Sequence, residues 1–219
     1  MSNSDFIIIL AWPEGMVTAA GAWYDKFFSH NGKYRVGHSA LALVDTKRKK
    51  IEYLDFGRYQ TPQGFARIRD SQTDPDTIVQ KTPVIKGNKI KNIKEILIEI
   101  SKNKSYHTEG ALYASVLSGV NIKKGLHFAR KWQNDGLISY GPFVRSGTNC
   151  SRFVAKIIRK CSPHILKNLR LKFPFSISPS PKRNVSISNK DYYIVGDSIF
   201  KKIERNYLHA YFVGIERAK

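Results

Sequence analysis

The chain has 219 residues, 42% hydrophobic and 25% charged, the composition of a folded globular protein rather than a disordered or fibrous one. That length can bury a sizeable core as one domain. The 37 Lys and Arg against 17 Asp and Glu leave a formal charge of +20, which favours nucleic acid, anionic lipid or an acidic partner.

Asp5 to Trp12 reads as a buried strand closed by the breaker Pro13-Glu-Gly15. It is the longest apolar stretch, far short of a membrane span. It follows an acidic residue rather than a basic leader, so no signal peptide is read and the cytoplasm is the expected compartment. Val17 to Phe28 places Trp23, Phe27 and Phe28 on one side and predicts a short helix. After the turn Asn31-Gly32, Tyr34 to Val44 predicts a strand carrying His38. Thr46 to Lys50 is a connection of hairpin length, and Ile51 to Phe56 returns as the antiparallel partner. Gly57 to Pro75 reads as a polar loop.

Ile93 to Ile100 predicts a strand, and Gly110 to Val120 and Lys123 to Gln133 predict helices. Leu137 to Phe143 is extended, and Gly147-Thr-Asn149 introduces a helix over Cys150 to Lys160. Pro163 and the Ser/Pro-rich stretch from Phe173 to Lys182 mark a loop. Asp191 to Val195 reads as a strand and Lys201 to Phe212 as a mixed tail. Strands and helices interleave without a regular βαβ rhythm, so the expected class is α+β. The expected organisation is a single domain over 1–219. It divides into a strand and hairpin unit at 1–75, a helical unit at 93–162 and a C-terminal extension at 163–219 that completes the domain.

The two cysteines, Cys150 and Cys161, lie 11 apart in one predicted helix, hence about 16 Å apart at 1.5 Å per residue. That exceeds the roughly 7 Å reach of a disulfide, so both are expected as free thiols. Phe153, Val154, Ile157, Ile158 and Cys161 follow Cys150 along one apolar stripe, which turns Cys150 inward. A cysteine in a first helical turn feels the positive end of the helix dipole and unpaired N–H groups. Both favour the thiolate and can steady a developing oxyanion. Cys161, at the far end of the stripe, reads as a small buried apolar residue.

A thiolate nucleophile needs a partner base. Among six histidines His38 alone sits in a convincing strand, with the small residues Ala40 and Ala42 and then Val44 along its face leaving room for a helix. His107 is its competitor. A third residue should hold the imidazole. Asp55, at the end of the returning strand, can reach His38, whereas Glu52 lies near the hairpin turn, about 20 Å away at 3.3 Å per residue. Asp55 shares the His38 face only if odd positions pair with even; in the other register Arg58 takes that place.

Gly37-His-Ser-Ala-Leu-Ala-Leu-Val44, an acid on the next strand and Gly147-Thr-Asn-Cys-Ser-Arg-Phe-Val154 together resemble the circularly permuted papain-like superfamily. This group includes the NlpC-like amidases and the lecithin:retinol acyltransferase relatives. The histidine strand precedes the cysteine helix, as in the permuted branch. The resemblance implies an antiparallel sheet packed on the nucleophile helix and acyl transfer through a thioester. Cys150 would be the nucleophile, His38 the base and Asp55 the polar third residue. No cofactor is expected, and the expected substrate is a peptide, amide or acyl-lipid, among which the resemblance does not choose because members cut peptides, peptidoglycan crosslinks and lipid amides or esters. Trp12 to Gly15 and Thr61 to Arg69 are candidates to line the cleft, with ordinary loop packing as the alternative. Zinc ligation is not expected, since two cysteines three turns apart on one helix cannot share an ion. The competing function is a basic module that binds nucleic acid or anionic membrane and whose papain-like site is inactive.

Overall fold

The computed structural model describes residues 5–18, 26, 31, 33–35, 37–141, 144, 147–173 and 178–216. The strands are β1 (Asp5–Trp12), β2 (Met16–Thr18), β3 (Lys33–Arg35), β4 (His38–Asp45), β5 (Lys50–Gly57), β6 (Phe65–Arg69), β7 (Ile85–Lys86), β8 (Lys89–Ile90), β9 (Leu112–Val120), β10 (Ile138–Ser139), β11 (Tyr192–Val195) and β12 (Phe200–Ile203). The helices are α1 (Ile93–Lys102), α2 (Ile122–Asn134), α3 (Cys150–Cys161), α4 (Ile165–Lys172), α5 (Pro181–Ser188) and α6 (Tyr207–Phe212).

One eight-stranded sheet runs β10-β6-β5-β4-β1-β9-β11-β12, and each neighbouring pair is antiparallel. The fold is therefore α+β with an antiparallel sheet, as the irregular succession of elements implies. β1 and β4 sit at its centre and are buried on both faces, which is why they read as nearly unbroken apolar runs. On one face Ile7, Ile9, Leu41, Leu43, Leu54 and Phe56 meet α3 through Phe153, Val154, Ile157 and Ile158. Residues of α2, α4 and α5 complete that layer. On the other face Ile8, Leu10, Ala40, Ala42 and Tyr53 meet α1 and Tyr106. The sheet is thus filled from both sides.

Two elements exchange the secondary structure expected of them. The segment from Ile93 to Ile100 is helical rather than extended. Its isoleucines favour a strand intrinsically, but Ile93, Ile96, Leu97 and Ile100 recur at i, i+3, i+4 and i+7 and form one buried face. Burying each is worth about 1.5–3 kcal/mol, which outweighs a β preference spanning about 1 kcal/mol. Conversely Gly110 to Val120 is not a helix: Leu112–Val120 is strand β9, between β1 and β11. Covered on both faces, it lacks the strict alternation that marks a half-exposed strand.

Smaller differences follow the same physics. The expected loop from Gly57 to Pro75 contains β6, whose Ala66 and Ile68 turn to the α3 side while Arg67 and Arg69 turn away. The strand expected over Tyr34 to Val44 is interrupted ahead of β4 by Gly37, at φ +67°. Met16–Thr18 is a strand rather than the start of a helix, and most of the helix expected to Phe28 lies outside the described residues. The segment after Pro163 is largely helical, as α4 and α5, with 174–177 outside the described residues. The mixed tail resolves into β12 and α6.

Candidate active site

His38 opens β4 and faces the Tyr53 side of the sheet. Gly37 makes this entry possible: its left-handed backbone suits glycine, and a Cβ there would lie 2.4 Å from the Trp12 carbonyl oxygen. Its N–H donates to the Gly15 carbonyl at 2.9 Å. Trp12 pairs with His38 across β1 and β4, and its ring stacks beside the imidazole with centroids 6.2 Å apart.

The β4–β5 ladder pairs Ala40 with Asp55, an odd position with an even one, so Asp55 shares the His38 face. Asp55 Oδ2 lies 3.1 Å from His38 Nε2. The carboxylate is fully buried and gripped by several donors. Arg69 donates from Nε to Oδ1 at 3.0 Å and from Nη2 to Oδ2 at 2.7 Å, while the Tyr53 and Tyr59 hydroxyls donate to Oδ2 at 3.1 and 2.9 Å. Burial alone would raise the Asp55 carboxyl, but the hydrogen bonds from His38 and Arg69 overcome it and hold it well below the usual range.

Arg69 is itself held in place, donating to the Ser105 carbonyl at 2.9 Å with its guanidinium 3.4 Å from the centre of the Tyr59 ring. Tyr59 also reaches His38 Nε2, at 3.4 Å. Glu52 instead accepts from the Ser71 N–H and hydroxyl, far along the hairpin. His107 is exposed, with its ring edge beside Tyr59.

Cys150 is the first residue of α3. The helix is capped by Asn149, whose side chain accepts from the Arg152 N–H at 2.9 Å and donates to Ser178 Oγ at 2.8 Å. The preceding residues are stapled to β10: Thr148 N–H donates to the Ser139 carbonyl at 3.0 Å, and Gly147 passes so close that a Cβ would sit 2.3 Å from that oxygen. The lead-in to the cysteine is therefore fixed from both sides.

The cysteine helix reaches the histidine by a route that the small residues of β4 do not supply. Ala40, Ala42 and Val44 face α1, whereas the body of α3 lies against Leu41 and Leu43 on the opposite face. Cys150 and His38 meet where the two layers come together at the start of β4, near enough for each side chain to act on the other's ionisation. Burial opposes the thiolate. The His38 hydrogen bond and charge, the Ser39 N–H and the Ser151 hydroxyl overcome it and lower the Cys150 thiol. Burial likewise opposes the imidazolium, yet its hydrogen bond to Asp55 and the neighbouring Cys150 raise His38 to about 9. Cys161 differs, since burial pushes its thiol up to about 12. Both cysteines are free.

All three residues singled out in the sequence thus come together. Tyr53, Tyr59 and the role of Arg69 were not anticipated. The alternation of Phe65-Ala-Arg-Ile-Arg69 carried the signal for Arg69, hidden by its two charges in a stretch that reads as polar. Among the described residues, no three His, Cys, Asp or Glu side chains are grouped to hold a metal ion.

An antiparallel sheet with a lowered thiol beside a raised imidazole defines a protein able to hold a thiolate–imidazolium pair. The chain belongs to the TseH-like family of type VI secretion system effectors, whose family model matches residues 7–165, a span that includes His38, Asp55 and Cys150. It is also similar to the crystal structure of the type VI secretion system effector TseH, with a TM-score of 0.60 and 16% identity over 93% of this chain and 100% of that one. At that identity the likeness shows a common fold. No curated protein matches the chain.

Proposed function

We propose that the protein is a permuted papain-like thiol hydrolase or acyltransferase, acting on an amide or ester bond through Cys150, His38 and Asp55. The observation that carries this reading is the meeting of a lowered thiol at a helix start with a raised imidazole that is hydrogen-bonded to a buried carboxylate. Membership of an effector family supports it, because an effector acts on a target it is delivered to. The substrate class proposed is a peptide, amide or acyl-lipid. The cytoplasm is the proposed site of synthesis, where both thiols stay reduced.

In the mechanism, the Cys150 thiolate attacks the carbonyl carbon, and the carbonyl electron pair moves onto oxygen. Backbone N–H groups in the first turn of α3 stabilise that oxyanion. Collapse forms the thioester as His38 gives its proton to the departing amine or alcohol. Nε2 faces Asp55, so Nδ1 is the nitrogen that serves the sulfur and the leaving group. The neutral imidazole then takes a proton from water or an acceptor alcohol, which attacks the thioester and regenerates the thiolate. Asp55 fixes the tautomer, while Arg69 keeps the carboxylate ionised.

A nitrophenyl ester tests the chemistry without knowledge of the natural substrate. A burst of nitrophenolate stoichiometric with protein, with the acyl group recovered on Cys150 by mass spectrometry, is expected. Loss of the burst is expected in Cys150→Ser and His38→Ala. A burst that survives in Cys150→Ser would overturn the proposal.

A further inference from the structure

Between Asp135 and Asp191 the sequence contains 55 residues and no Asp or Glu, but 11 Lys and Arg. This stretch supplies α3 and α4, and where they meet lie two adjoining hollows of about 370 and 430 Å³. Lys156, Arg159 and Lys172 line both, and Lys160 lines the second. None of these four lies within 4 Å of a carboxylate among the described residues. Lys156 sets its ammonium over the Trp132 ring, 4.1 Å from its centre, and Lys160 over Phe128, so aromatic faces rather than carboxylates hold these charges at the hollow. Burial, then the charges of Arg152, Arg159 and Lys160, lower the Lys156 ammonium, as expected where cations crowd without a counter-ion.

The second observation is the exposed aliphatic side of α4. Leu171 anchors the helix in the core, and Lys167 donates to the Ser188 carbonyl at 2.7 Å and Asn168 to the Ser162 carbonyl at 2.9 Å. Its other aliphatic residues face solvent, with Ile165 74%, Leu166 68% and Leu169 48% exposed. A helix packed only on its own core turns most of its aliphatic residues inward. Ile165 and Leu169 line the same hollow as Lys156, Arg159, Lys160 and Lys172.

We propose that this face docks on an anionic phospholipid bilayer, with the four cations among the phosphates and Ile165, Leu166 and Leu169 in the interfacial apolar layer. Cations beside projecting aliphatic side chains suit a lipid interface. Single-stranded nucleic acid would call for several exposed flat rings on which successive bases stack, whereas one exposed ring, Phe173, lines the first hollow and three aliphatic side chains project beside the cations. Gly147 and Thr148, three and two residues before Cys150, line the adjoining hollow, so docking would hold the thiol within one helix length of the headgroups. The surface is independent of the chemistry at Cys150, and either proposal can fail alone.

Vesicle flotation of the full chain tests it. Binding to phosphatidylglycerol-containing vesicles but not to phosphatidylcholine vesicles is expected. It should weaken as salt rises from about 0.1 to 1 M and the Debye length shrinks from about 10 to 3 Å. Lys156→Gln/Arg159→Gln/Lys160→Gln should weaken it roughly a hundredfold, at about fivefold per charge. Ile165→Ser/Leu169→Ser should weaken vesicle binding several-fold while leaving circular dichroism and the Cys150 alkylation rate unchanged. RNA and inorganic phosphate are the comparison ligands. Equal binding to RNA with no effect of the serine variant, or equal binding to both vesicle types, would overturn the proposal, as would retention of vesicle binding by the triple variant.

Discussion

His38 and Asp55 are diagonal neighbours across β4 and β5: Asp55 pairs with Ala40, two residues beyond His38 on the same face, and its Oδ2 still lies 3.1 Å from Nε2. A slip of one residue would send the carboxylate to the α3 side of the sheet. The catalytic proposal therefore depends on strand register, and the register on the apolar pattern of both faces.

The buried pair behind His38 gives the first prediction. Asp55→Asn leaves Arg69, 2% exposed, with an uncompensated charge. Breaking a buried pair in this way costs about 3–5 kcal/mol, so the variant should unfold at markedly lower urea, and turnover of the nitrophenyl ester should fall with it. Adding Arg69→Met should recover part of the stability but not the turnover. Full recovery of turnover in the double variant would remove Asp55 from the mechanism.

Tyr59 provides a finer test. Its hydroxyl donates to Asp55 at 2.9 Å and lies 3.4 Å from His38 Nε2. Tyr59→Phe keeps the ring beneath Arg69 but removes one hydrogen bond to a charged group, worth about 1.5 kcal/mol at the lower end of the usual range. The expected result is a modest loss of stability and a downward move of the alkaline limb of the pH–rate profile, since the hydrogen-bond geometry around Nε2 is loosened. An unchanged profile would make Tyr59 purely structural.

Gly37→Ala should be far more damaging than a surface substitution. The backbone is left-handed there, and the new Cβ would lie 2.4 Å from the Trp12 oxygen and 2.8 Å from Pro13 Cα, both backbone atoms. The expected outcome is displacement of His38, seen as slower alkylation of Cys150 even in protein that remains folded.

Much of this site was legible because its parts obey local rules. Asn149 caps a helix, Cys150 begins an apolar stripe, and the Ile51 to Phe56 strand returns beside β4. The elements α1 and β9 were not legible, each for its own reason. Ile93–Lys102 is β-branched but helical in period, and Leu112–Val120 is buried on both faces, so propensity misled in the first and periodicity in the second. Arg69 was hidden because its partner is 14 residues away and its burial exists only once the sheet forms.

Stability against pH follows with its sign from the two shifted groups. His38 is raised from 6.5 to about 9, so its contribution is complete below pH 6.5 and lost as pH rises through about 9. Cys150 is lowered from 9.0, so its contribution is complete above pH 9 and lost as pH falls through the lowered value. Wherever the native thiol has already ionised, the native pair and the unfolded chain bind the same number of protons between 6.5 and 9, and the two slopes cancel. Thermal unfolding of the wild-type protein should therefore lose less across that window than His38 alone would cost, with no further change from this pair above about 9. In Cys150→Ser the cancellation is gone, and stability should already decline above pH 6.5.

The central claim is that His38 keeps Cys150 as a thiolate at neutral pH, and the rate of iodoacetamide alkylation against pH measures this most directly. In the wild-type protein Cys150 should react as a thiol titrating below its ordinary 9.0, and Cys161 should remain nearly inert, with its thiol pushed up to about 12. In His38→Ala the Cys150 profile should move up, because burial is then opposed only by the Ser39 N–H and the Ser151 hydroxyl. Alkylation of Cys150 that is as slow as that of Cys161, or a profile indifferent to His38→Ala, would contradict the account.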